Sequence, residues 1–163
     1  MYGKPVGKDA FFYTYSGYST RSNNFSNAGP HAVHVKNNLY EAQLLVVGWT
    51  VKKGKLEEDF TKNVVRPGLF NTAKLTPINW SKGDAVQGAV VFRIENTDNY
   101  YTLAFEDPYL GNGKQDYKGY LMEGNNPEAA IASLTDQTEV QVKQAKYYID
   151  EFGGRPRTVI EFV

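Results

Sequence analysis

Two neighbouring stretches of the chain, 88–95 and 100–105, alternate apolar side chains with more polar ones. Their alternating apolar positions are Val90, Phe92, Ile94, Tyr101, Leu103 and Phe105. This alternation is typical of strands with one buried face, because successive side chains of a strand point to opposite sides. Residues 96–99, Asn-Thr-Asp-Asn, are of the types that tolerate turn dihedrals. The pattern therefore predicts an antiparallel hairpin.

The segment 105–114, which follows the second strand, is expected to leave the sheet. Pro108 has no backbone N–H to donate and Gly111 permits a bend, so the ladder of hydrogen bonds should not continue through this segment. Pro108 and Gly111 would thus set the geometry of a loop. We expect the side chains of Tyr109 and Leu110 to stand out at a sheet edge.

Further strands are predicted over 32–38, 43–52, 117–122, 140–149 and 158–163. The run 43–52 is almost continuously apolar, which is typical of a central strand covered on both faces. The charged stretch 52–62 is expected to be a solvated loop. One short helix is predicted to begin at Asn126, with Pro127 at its first position. Together these elements predict an all-β protein, a single antiparallel β-sandwich with one short helix and eight or more strands in a meander.

The composition agrees with one β-rich domain over residues 1–163, since the chain has 12 tyrosines, 9 phenylalanines and 15 glycines. Its 18 basic and 18 acidic side chains cancel, so the net basic field that favours nucleic-acid binding is missing. The chain has no cysteine, which excludes disulfides and thiolate metal sites.

Residues 1–30 form an aromatic stretch followed by a Ser/Asn-rich one. They predict an N-terminal extension or added edge strand, with a membrane-active or partner-binding arm as the alternative. Residues 1–5 lack the apolar run of a signal peptide, and no segment approaches the ~20 apolar residues of a membrane-spanning helix. We expect a soluble protein that meets a bilayer from water.

The run 105–116, Phe-Glu-Asp-Pro-Tyr-Leu-Gly-Asn-Gly-Lys-Gln-Asp, resembles a segment of the aegerolysins, small β-sandwich proteins that recognise membrane lipids. A second likeness lies upstream, where a strand ending in Asn37-Asn38 is followed by Gly48-Trp49 and Gly54-Lys55. The resemblance covers about residues 31–122. Among aegerolysins, the sequence most resembles the small subunit of bacterial two-component insecticidal toxins. The broader group includes actinoporins and fungal fruit-body lectins, which share a similar hairpin.

This resemblance implies a set of lipid-binding residues. The positions that match aromatic residues on the lipid-recognition side of aegerolysins are Tyr109 and Trp49, and Leu110 accompanies Tyr109 in the loop. Trp80, in a polar turn, is a comparable candidate without a family position. Gln87 stands where many aegerolysins have a Glu that helps to discriminate headgroups, so the choice of headgroup is open.

Two features separate the chain from the actinoporins. Glu106 replaces the Ser that precedes their Pro loop, and a carboxylate there would repel phosphate. The tyrosine cluster of their phosphocholine pocket and their amphipathic N-terminal helix are not matched either.

Catalytic and metal sites are not predicted. Glu106, Asp107 and Asp116 offer oxygen ligands but lack the spacing of a calcium loop. His31 and His34 should lie on opposite faces of a strand, which disfavours a shared metal, and both are expected at the surface. No nucleophile elbow, phosphate loop or HExxH run occurs. We expect no enzyme activity, no cofactor and no metal.

The resemblance therefore implies a membrane-lipid-binding component of a pore-forming toxin that is released and docks on target cells through loop aromatics. Its likeness to the bacterial toxin subunit implies insecticidal action. The resemblance implies membrane lipid headgroups as partners, together with a larger pore-forming protein or a homo-oligomer on the membrane. A glycan-binding, lectin-like module and an autonomous actinoporin-type cytolysin are the alternatives.

Overall fold

The computed structural model describes residues 31–78, 85–108, 117–152 and 155–163. These residues form eleven strands and one α-helix, arranged as two packed sheets, so the predicted all-β sandwich with one short helix is confirmed. The predicted N-terminal extension or edge strand within 1–30 and the polar turn that contains Trp80 lie outside the described residues.

The first sheet, sheet A, has six strands in the order β3-β5-β1-β11-β10-β9. Their bounds are β1 His31–Asn37, β3 Lys55–Glu58, β5 Phe70–Thr76, β9 Glu139–Val142, β10 Ala145–Phe152 and β11 Arg155–Phe162. All neighbours are antiparallel except β1 and β11, which pair in parallel from Ala32 opposite Arg157 to Asn37 opposite Phe162.

The second sheet, sheet B, has five antiparallel strands in the order β4-β2-β6-β7-β8. Their bounds are β2 Leu44–Lys53, β4 Val64–Val65, β6 Ala85–Ile94, β7 Tyr100–Pro108 and β8 Lys118–Glu123. The predicted hairpin is β6 and β7, closed by a bond from the amide of Ile94 to the carbonyl of Asn99 (3.0 Å).

The core lies between the two sheets. All six alternating apolar residues of the predicted hairpin belong to it. Phe162 of sheet A contacts Phe92 and Tyr101 of sheet B edge to face, with ring centroids 5.6 and 5.4 Å apart. Edge-to-face aromatic pairs add to the stabilisation from buried area, so these contacts fasten the sheets together.

The helix α1, Pro127–Ala132, packs on sheet B at Ala89 and Ala104, where it buries Ala130. Small side chains on both sides let the helix backbone approach the sheet. Asn126 caps the helix as predicted, since its Oδ1 accepts a hydrogen bond from the amide of Ala129 (3.1 Å). Pro127 follows as its first residue.

Three expectations about the strands need correction. The stretch 52–62 is not simply a loop, because Gly54, with φ of 85°, turns β2 into β3. The late strand is two strands, β9 and β10, separated by a turn in which Lys143 has φ of 50°. The chain is not a meander either, since β1 lies between β5 and β11.

The strand β2 also differs from the expected central strand. It lies beside the two-residue β4, with a register shift between Val46 and Gly48, and the side chain of Val47 is 47% exposed. A bulge redirects side chains locally, which explains how an apolar residue of this run faces solvent.

A close approach between the sheets requires glycine at position 119. A Cβ built on Gly119 would lie 2.6 Å or less from the ring carbons Cε1 and Cζ of Tyr147, a buried residue of sheet A. The hydroxyl of Tyr147 donates to the carbonyl of Gln137, and burial raises the pKa of Tyr147 to about 12. Gly119 therefore makes room for a ring that bridges β10 and the segment before β9.

We predict that Gly119→Ala lowers the free energy of unfolding by about 1–3 kcal/mol, because Tyr147 must shift from its packed position. Gly48→Ala is the matched control, since a Cβ there meets nothing within 4 Å. Urea unfolding of both variants checks this. Equal losses in the two variants would contradict the steric explanation.

Both histidines are buried, at 1% and 0% exposure, so the expectation of surface histidines was wrong. His34 Nδ1 lies 2.8 Å from Thr72 Oγ1 on the adjacent strand β5. Burial lowers the pKa of His34 well below its usual value, and electrostatic interactions with Arg157, His31 and Lys74 lower it further. The folded chain therefore holds His34 neutral.

This depressed pKa predicts acid sensitivity. Below the usual histidine pKa of about 6.5, the unfolded chain binds a proton at His34 that the folded chain does not, so stability is lost as pH falls. We expect the free energy of unfolding to fall more steeply between about pH 7 and pH 5 in the wild type than in His34→Gln. Denaturant titrations at several pH values measure both slopes, and parallel slopes would exclude His34 as the cause.

Candidate functional site

The sequence-predicted site centres on the open end of the β6–β7 hairpin, which we call the Pro108 end. Trp49, Gln87 and Pro108 lie within the described residues. Trp80, Tyr109, Leu110 and Gly111 lie outside them, so their proposed roles stay predictions.

The ladder between β6 and β7 continues further than expected. Gln87 pairs with Glu106, Val86 with Asp107 and Ala85 with Pro108, so the segment does not leave the sheet at Phe105. Proline is tolerated here because it is the last residue of the strand. The sheet thus reaches the residue directly before Tyr109.

The side chain of Gln87 is paired with a carboxylate of the neighbouring strand. Its Nε2 donates a hydrogen bond to Glu106 Oε1 across the hairpin, at 2.7 Å. Both side chains are half-buried. The position that carries a neutral amide in this chain therefore has a carboxylate directly beside it, supplied by the neighbouring strand.

Asp107 points to the opposite face from Glu106, as neighbouring strand residues do. Its Oδ2 lies 2.9 Å from His31 Nδ1, and the other ring nitrogen of His31 lies 2.8 Å from Thr158 Oγ1. The imidazole stacks on Phe105 and Tyr117, with centroids 5.5 and 6.3 Å away. His31 of sheet A is thus tied to Asp107 of sheet B one residue before Pro108.

The different positions of Glu106 and Asp107 disfavour a cation site shared by these carboxylates. Glu106 and Asp107 face different sides of β7, and Asp116 lies outside the described residues. Within the described ranges, no group of three or more His, Asp or Glu side chains is placed to hold a metal ion.

Trp49 packs into the edge of the core. Its ring stacks on Phe60 at 5.6 Å and meets Phe105 edge to face at 6.2 Å. Its indole Nε1–H donates to Asp59 Oδ1 at 2.8 Å. With its polar edge engaged and its ring half-buried, Trp49 has an evident packing role, and its lipid-binding role stays a prediction.

Among the described residues, the most exposed large apolar side chains are not ones that the sequence predicted as site residues. Tyr40 is 91% exposed in the loop that follows β1, and Ile78 is 62% exposed two residues after β5 ends. Tyr40 lies at the opposite end of the sandwich, which we call the Asn37 end. The signal available in the sequence was a tyrosine that follows Asn37-Asn38-Leu39 and precedes Glu41, in a segment rich in polar residues.

No helix among the described residues is long and apolar enough to cross a membrane.

Comparison with known proteins gives fold relatives only. No protein-family model matches the chain, and no curated protein matches it. The lipid-binding protein Nakanori superposes with a TM-score of 0.65 at 6% identity, over 93% of this chain and 79% of that one. At this identity the likeness concerns the fold.

Two further solved structures match more loosely. RahU, solved in complex with a TRIS molecule, gives a TM-score of 0.48 at 12% identity, covering 84% of this chain and 97% of RahU. IP-1A from Alcaligenes faecalis gives 0.49 at 7% identity, covering 86% of this chain and 96% of IP-1A.

We predict that Asp107→Asn lowers the free energy of unfolding by about 1–3 kcal/mol, because it weakens a largely buried, charge-assisted contact between the sheets. Glu106→Gln is the matched control, being the same change one residue away on the more open face. Thermal unfolding at neutral pH compares them. A larger loss in Glu106→Gln would contradict a structural role for the His31–Asp107 pair.

Proposed function

We propose that this protein binds membrane lipids and serves as the recognition component of a pore-forming toxin. The observation that carries the proposal is the shared fold with Nakanori, a lipid-binding protein, over 93% of the chain. The aegerolysin-like run 105–116 supports it on separate grounds, because that likeness is one of local sequence and not of fold.

In the proposed mechanism, the Pro108 end presents Tyr109 and Leu110 to the headgroup region of a bilayer. Tyrosine suits that interface because its ring is apolar and its hydroxyl can stay hydrated. The His31–Asp107 contact and the Gln87–Glu106 hydrogen bond both hold β7 directly before these residues. A strand fixed on both faces loses little conformational freedom when the residues after it bind.

Glu106 gives the proposed site a charge that Gln87 lacks. Its carboxylate lies 2.7 Å from the Gln87 amide, beside the position where many aegerolysins carry a Glu. A carboxylate near a membrane surface attracts an ammonium group and repels a phosphate, so we propose that Glu106 faces the choline or ethanolamine ammonium of a headgroup rather than its phosphate.

We further propose that the protein is not an enzyme and that a larger partner, or assembly on the membrane, forms the pore. Insecticidal action belongs to the same proposal and rests on the resemblance of the 105–116 run alone.

Vesicle co-sedimentation paired with dye release tests the function. We expect binding to vesicles that contain sphingomyelin or phosphatidylethanolamine, without dye release by the protein alone. Release by the single protein would favour the actinoporin-type alternative. No binding to any lipid mixture would remove the proposal and direct the search to glycans.

A pair of tyrosine substitutions tests which end docks. We expect Tyr109→Ala to weaken vesicle binding by about tenfold, equivalent to about 1.4 kcal/mol, while Tyr40→Ala leaves it unchanged. Tyr40 is the matched control because it is the same residue type, fully open to solvent, at the Asn37 end. The reverse result would assign docking to the Asn37 end.

A further inference from the structure

A pocket of about 180 Å³ opens on the side of the sandwich, between the 3₁₀ turn Thr61–Asn63 and the start of β5. Its apolar wall comes from Val64, Val65, Leu69 and Phe70. Two cationic residues, Lys62 and Arg66, also line it. The volume is below the ~300–1,000 Å³ of sites for drug-sized ligands, so it suits a small group.

The two cations have no competing anion. Within the described part of the chain, neither Lys62 nor Arg66 forms an ion pair, whereas Lys52, Lys55, Lys74, Lys143 and Lys146 each do. The carboxylates that precede the turn are engaged elsewhere. Glu58 lies 3.3 Å from Lys74, and Asp59 accepts from the indole of Trp49. The pocket therefore presents positive charge next to an apolar wall.

The wall that carries Lys62 is held in an unusual conformation. Lys62 has φ of 57°, a left-handed conformation that residues other than glycine and asparagine rarely adopt, and Asn63 follows with φ of 53°, which asparagine tolerates. Such strain persists only where the surroundings impose it, and it clusters at binding sites. The strain indicates that the surrounding structure constrains the backbone position of Lys62.

Asn71 imposes that constraint. Its Nδ2 donates to the carbonyls of Thr61 and Val64, at 3.0 and 3.3 Å, and its Oδ1 accepts from the amide of Thr61 at 3.2 Å. One buried side chain thus clamps both ends of the turn. A preformed site loses less conformational entropy when a ligand binds. Because Asn71 holds the turn in place, it is a positioning residue for the pocket.

We propose that this pocket binds a phosphate ester, with its oxygens held by Lys62 and Arg66 and its organic part against the apolar wall. Arginine and lysine are the side chains suited to phosphate oxygens. The site is separate from the Pro108 end: Asn37, whose Nδ2 donates to the carbonyl of Val65 beside the pocket, is the last residue of β1, and His31 at the Pro108 end is the first. Seven strand residues span about 20 Å. The proposal therefore does not depend on lipid docking at that end.

Two probes with the same phosphate monoester distinguish a soluble ligand from a lipid. Glycerol 3-phosphate is titrated calorimetrically, with glycerol as the uncharged control. Vesicles of phosphatidylcholine with and without phosphatidic acid carry the same group on a membrane. We expect glycerol 3-phosphate to bind, and the Lys62→Gln/Arg66→Gln variant to bind it at least about tenfold more weakly.

The control variant is Lys53→Gln/Lys118→Gln, which removes the same two charges from exposed positions elsewhere. It should bind like the wild type, and Arg66→Lys should retain part of the affinity. If the Lys62→Gln/Arg66→Gln variant loses affinity only for the vesicles that contain phosphatidic acid, the phosphate bound by the pocket belongs to a lipid.

If glycerol 3-phosphate and phosphatidic acid both fail to bind the wild type, or if both double variants lose affinity equally, the pocket proposal is overturned. Failure of the wild type on all vesicles, with glycerol 3-phosphate still bound through Lys62 and Arg66, would remove the lipid-binding proposal and leave the pocket in place.

Discussion

The parallel pairing of β1 with β11 is the contact on which the rest of the sandwich depends. It joins the early half of sheet A, β3-β5-β1, to the late half, β11-β10-β9, which otherwise share no strand. The two ends of β1 then organise both sites. His31 reaches across to Asp107 at one end, and Asn37 holds the carbonyls of Ala42 and Val65 at the other. A single central strand thus positions the hairpin and the wall of the pocket.

Local patterns in the sequence predicted local structure well. The alternation in β6 and β7 identified the core face, and the Asn126-Pro127 signal identified the start of the helix, because these features depend on residues close in sequence. The histidines were misjudged for the opposite reason. The buried ring of His31 contacts Asp107 and Thr158, which lie 76 and 127 positions away in the sequence. A local sequence pattern does not indicate partners at such separations. The pairing of β1 with β11 could not be predicted for the same reason, because these strands are far apart in the sequence.

The candidate site was predictable in part. The resemblance at 105–116 drew attention to the Pro108 end, and the structure brings Gln87 and Glu106 together there. The carboxylate beside Gln87 could not be foreseen, because cross-strand neighbours depend on the register of the hairpin. Lys62 and Arg66 lie at the end of a charged stretch and just beyond it, where a solvated surface is the ordinary interpretation. The hydrogen bonds of Asn71, a residue of β5, hold the turn that borders the pocket, and this contact depends on the pairing of distant segments.

The lengths of the strands at the sheet margins have a consequence for behaviour at high concentration. Among the described strands, three of the four at the sheet margins are short, with four residues in β3, four in β9 and two in β4. A short margin offers few free backbone groups on which another chain could add a strand, and Lys55, Glu57 and Glu58 further charge the β3 margin. These described margins therefore offer little free backbone for aggregation at high concentration, so contacts between copies at β3, β4 or β9 would have to form through side chains.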